Sequence, residues 1–68
     1  MKRGVNWPLK QAIVASRHKQ YVVARRAQLD DTVLSAFVNG RRRPQAIHRA
    51  RLARVLGKPE ADLFPETP

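Results

Sequence analysis

Three consecutive arginines, Arg41, Arg42 and Arg43, form the densest run of charge in the 68-residue chain. Gly40 precedes them and Pro44 follows, so they belong to a loop. A guanidinium fork suits phosphate oxygens and base edges better than a lysine point charge does. Upstream stands an acidic pair, Asp30 and Asp31, followed by Thr32, Ser35 and Ala36. These types suit base edges. A threonine bonds a base or phosphate or packs on a thymine methyl, and an aspartate accepts from cytosine N4. Serine offers a small donor and acceptor, and alanine permits close approach to a methyl group.

No other grouping points to chemistry. There is no Cys, which excludes thiol chemistry, a disulfide framework and a Cys-based zinc finger. The two His residues, His18 and His48, make a poor metal site. No Ser/His/Asp set or carboxylate cluster is visible, so an enzyme is not expected, nor a cofactor or small-molecule ligand. Fourteen Lys and Arg against five Asp and Glu give a net charge of +9. Residues 1–29 hold seven basic side chains and no acid, and six arginines follow between 41 and 54. Such segregation fits a polyanion partner. No apolar run approaches a membrane span, and no secretory signal is seen, so a cytoplasmic, nucleoid-associated protein is expected.

The elements that must hold these residues read as helices, with no strand pattern. Pro8 fits the first turn of a helix that starts after Asn6 or Trp7. Leu9, Ala12, Ile13 and Ser16 continue it at helical spacing. Residues 20–27 form a second helix with Val23, Ala24 and Ala27 on one face and Tyr21 at its margin. Asp30 is expected to cap a third helix, residues 31–38, through its carboxylate. Leu34 and Phe37 turn inward with Leu29. Asn39 and Gly40 tolerate left-handed backbone and stop that helix. Residues 45–56 form a fourth helix ending at Gly57, and Pro59 opens a last turn over residues 60–64. Leu52, Val55, Leu56, Leu63 and Phe64 complete the core. Trp7, the single tryptophan, is expected to serve as packing. The expectation is one all-α domain over residues 1–68, a compact four- to five-helix bundle with its core over 7–64. A basic N-terminus containing Lys2 and Arg3 and a frayed C-terminus flank it.

The second and third helices are about three residues apart, the spacing of a helix-turn-helix unit whose second helix enters the major groove. Residues 9–64 resemble the Cro/C1-type, lambda-repressor-like helix-turn-helix domain. The matching pieces are Lys19-Gln20 with Val23-Ala24, then Leu29-Asp30 with Leu34-Ser35. After them come the segment from Asn39 through Pro44, Leu52-Ala53, Leu56-Gly57 and Asp62-Leu63-Phe64. Small phage Ner-type regulators, which also begin with a Trp near a Pro, are a nearby likeness.

The resemblance implies a transcription regulator, a repressor of phage or bacterial type acting on double-stranded DNA. A homodimer on a palindromic operator follows from the short site that one module reads. In this frame Asp31, Thr32, Ser35 and Ala36 are the base contacts. Gln20, at the position where the family clamps the backbone, joins Arg17, Lys19, Asn39, Arg41, Arg42 and Arg43 as backbone contacts. An accessory DNA-binding role, antitoxin-like or in phage recombination, is an alternative, and so is a helical RNA- or protein-interaction module. Three departures bear on structure. Gln28 stands where the family often has Gly, which demands about 1 kcal/mol of backbone strain or another turn geometry. Val38 stands where an acid is common. Arg49 occupies a core-facing register while Ile47 does not, so either the fourth helix is rotated or Ile47 serves a second surface such as a dimer contact.

Overall fold

Asn6 begins the fold by satisfying a helix start. Its side-chain Oδ1 accepts from the Leu9 N–H at 3.1 Å, and Pro8 in the first turn has no amide to leave unpaired. The structure, a computed structural model, describes residues 4–65, so Lys2 and Arg3 lie outside the described residues. The helices are α1 (Trp7–Ala15), α2 (Gln20–Arg26), α3 (Asp31–Val38), α4 (Ala46–Leu56) and α5 (Glu60–Leu63). No strand occurs among the described residues. Against the expected ranges, α2, α4 and α5 each lose one terminal residue, because Ala27, Gln45 and Phe64 serve as caps.

The apolar stripes meet in one core. Leu9, Val23, Ala27, Leu34, Leu52 and Leu63 are fully buried, one or more from each helix region. Ala12, Ile13, Ala24, Phe37, Val38 and Phe64 fill the rest. Val5, ahead of the expected core boundary, packs against this cluster, as do Leu29, Val55 and Leu56. Helix α2 packs on α3, α4 on α2 and α5, and α1 on α3 and α5. Val38 is 4% exposed, which explains why an acid is not accommodated at that position.

Two expectations need correction, and one open alternative is decided. Trp7 is not core: it is 57% exposed, with Lys10 Nζ lying 5.3 Å from its ring centroid. Asp30 occupies the N-cap of α3 in an extended conformation, but its carboxylate makes no capping hydrogen bond. Its contribution there reduces to charge at the positive end of the helix. Helix α4 is not rotated: Ile47 is half exposed and Leu52 is buried. Arg49 resolves the conflict by resting at the core edge and turning its polar end to Pro44 and Glu60.

Helices α1 to α4 each stop in a left-handed residue: Arg17 (φ 66), Gln28 (φ 61), Gly40 (φ 75) and Gly57 (φ 67). After α2, the Gln28 N–H donates to the Arg25 carbonyl and the Leu29 N–H to the Ala24 carbonyl. This paired closure fixes the turn between α2 and α3, so Gln28 accepts the strained conformation rather than changing the turn. After α1 the second bond is relayed. The His18 N–H donates to Ser16 Oγ at 3.2 Å, and that hydroxyl donates to the Ile13 carbonyl at 2.6 Å. The left-handed Arg17 has no glycine signal in the sequence.

Candidate nucleic-acid interface

Helix α3 buries Leu34, Phe37 and Val38 and turns the opposite arc outward. At about 100° per residue, Asp31, Thr32, Ser35, Ala36 and Asn39 fall within an arc of about 140°. Asp31, Thr32 and Asn39 are exposed, and Ser35 and Ala36 are half-buried. Asn39 Nδ2 donates to Ser35 Oγ at 3.3 Å, which engages the serine oxygen and leaves its proton to donate outward. The four residues read as base contacts are thus brought onto one surface of one helix.

The arginine loop is bound to the end of that helix. The Arg41 N–H donates to the Ala36 carbonyl at 2.8 Å and the Gly40 N–H to the Phe37 carbonyl at 3.2 Å. Arg41, Arg42 and Arg43 are exposed. Among the described residues the one ion pair is Arg49–Glu60, at 3.6 Å, so the loop guanidiniums are not spent on acids there. Gln20 is the first residue of α2 and half-buried, and Lys19, exposed, precedes it as N-cap. Arg17, also exposed, occupies the left-handed stop of α1. Arg17 and Lys19 therefore belong to the link between α1 and α2, a different segment from the α3 arc.

Residue types alone missed what steadies this surface. Arg49 Nη1 donates to the Pro44 carbonyl at 2.9 Å, closing the loop from its far end. His48 Nδ1 accepts from the Gln45 N–H at 3.3 Å, and its ring centroid lies 5.4 Å from that of Phe37. The start of α4 is thereby held against the base of α3. The available sequence signal was the three-residue spacing of Gln45 and His48, a capping register with an unusual acceptor. Asn6 was read only as a helix start. Its backbone N–H also donates to the Val38 carbonyl at 2.7 Å, and its Nδ2 to the Leu63 carbonyl at 3.0 Å.

No protein-family model matches the sequence, and no curated protein is similar to it in sequence. Among solved structures, the chain is similar to the restriction-modification controller protein C.AhdI from Aeromonas hydrophila. The TM-score is 0.81 over 87% of this chain and 89% of that one, at 22% sequence identity. The two chains therefore share a fold, an all-α bundle of five helices in this chain.

Proposed function

We propose that this chain is a small transcription regulator that binds double-stranded DNA sequence-specifically. Helix α3 lies in the major groove, with Asp31, Thr32, Ser35 and Ala36 at base edges. Arg41, Arg42 and Arg43, with Arg17, Lys19, Gln20 and Asn39, contact the sugar–phosphate strands. The observation that carries the reading is the exposed α3 arc joined directly to three arginines that pair with no acid among the described residues. Counterion release at the arginines supplies affinity that is independent of sequence, and the outward side chains of α3, Asp31 among them, supply discrimination. Residues 1–68 act as one domain in the cytoplasm, on the nucleoid. A homodimer on a palindromic operator supplies the read length that one module lacks, and operator occupancy represses transcription.

Selection from a random duplex library, with stoichiometry measured on the winning site, tests this reading. Enrichment of a palindrome carrying two chains is expected. A library that yields no enriched duplex, or a preference for single-stranded RNA, overturns it.

A further inference from the structure

A groove opens beside the end of α3, between residues 4–8 on one wall and residues 40–44 on the other. Phe64 and Pro65 close one side of it. Among the described residues its lining contains Trp7, Arg41, Arg42 and Arg43 and no acidic residue. Lys10 adds a fourth cation, over the indole ring. An indole left 57% exposed is unusual in a chain whose two phenylalanines are both buried. The groove thus pairs several positive charges with one broad carbon surface. Charge complementarity requires an anionic occupant, and the indole requires one with apolar faces between its charges. A sugar–phosphate strand has both.

The wall is fixed relative to the candidate recognition helix, because the Asn6 N–H is bonded to the Val38 carbonyl. Eight helical residues at 1.5 Å each make α3 about 12 Å long, close to the width of the major groove. A helix of that length lying across the groove ends at the bounding strands. The strand that meets the arginine loop must then continue past it, and residues 4–8 form the opposite wall of the groove that this loop borders.

We infer that this groove is a second DNA-contact site. It holds the sugar–phosphate strand flanking the site read by α3, with the loop arginines on phosphates and Trp7 packed against deoxyribose. The inference rests on the duplex-binding function proposed above. It is tested by titrating the full chain with the minimal selected duplex and with a duplex extended by about five base pairs, half a helical turn, at each end. The extension is expected to strengthen wild-type binding about tenfold. It should also shield the single tryptophan from acrylamide quenching. The ratio of the two affinities should fall several-fold in Trp7→Ala, which leaves the arginine contacts, and stay near the wild-type ratio in Trp7→Phe, which keeps an apolar ring. Binding of the minimal duplex with no gain on extension, or a gain that leaves Trp7 quenching unchanged, overturns the inference while leaving duplex recognition standing. Failure to bind either duplex overturns duplex recognition and the inference together.

Discussion

The guanidinium of Arg49 reaches back across the start of α4 to the carbonyl of Pro44, at 2.9 Å. Its Nε lies 3.6 Å from Glu60 Oε1 at the start of α5. One side chain thus holds the exit of the arginine loop against two helices. Its apolar stem occupies a core-edge register, so a charged residue does the work of a packing residue and a clamp at once.

Arg49→Ala should therefore lower stability by about 1 kcal/mol, chiefly through the lost bond to Pro44. Glu60→Ala should cost under about 0.5 kcal/mol, because the ion pair is largely solvated. Thermal unfolding of the two variants checks the difference. Amide exchange at residues 41–44 should accelerate in the arginine variant and not in the glutamate variant.

Gln28 carries a side chain at φ 61, where a Cβ costs about 1 kcal/mol. Gln28→Gly should raise stability by up to about that amount, or about 4–8 °C in Tm for a domain of this size. Gln28→Ala should give no comparable gain, since it keeps the Cβ. Calorimetry on both variants separates relief of strain from loss of the glutamine amide.

Thr32 and Arg42 should fail in different ways. Thr32→Ala is expected to relax preference at one base pair by about 1–3 kcal/mol, with little change in salt dependence. Arg42→Ala is expected to weaken all duplexes alike and to lower the slope of log affinity against log salt by about 0.9 if it meets one phosphate. Competition titrations at several salt concentrations read both quantities. Equal loss on every sequence for Thr32→Ala would remove that residue from base reading.

Leu34 is fully buried under the outward arc of α3. Leu34→Ala should cost about 2–5 kcal/mol. At about 0.05–0.15 kcal/mol per residue, the whole fold has about 3–10 kcal/mol to lose. Denaturant titration should show a large fall in midpoint, and DNA affinity should follow the folded fraction.

The helices were legible in the sequence because their apolar spacing and their stops at Gly40 and Gly57 are local signals. The outward arc of α3 was legible for the same reason: burying Leu34 and Phe37 leaves Thr32 and Ser35 outside. What escaped were properties that depend on distant partners. Trp7 reads as core by residue type, yet the buried cluster, with Leu9, Leu63 and Phe64 in it, closes without it. Arg49 reads as a misplaced charge until Pro44 and Glu60 are set beside it. Asp30 reads as a hydrogen-bonding cap, but its carboxylate makes no bond to the free amides of α3. Arg17 gives no hint of a left-handed stop, because its residue type carries no signal for positive φ and the bonds through Ser16 that close the turn form only in the fold.

Asn6 joins residues far apart in the chain: its side chain bonds the Leu63 carbonyl across a sequence separation of 57. Gly4 and Pro65 both border the same groove. A peptide joined directly at residue 4 or residue 65 therefore starts beside the arginine loop and crowds it. The same proximity lets a short linker join residues 4 and 65, with new ends opened at the exposed Gly57–Lys58 turn. Such a circular permutant would carry its cargo on α4, away from the loop.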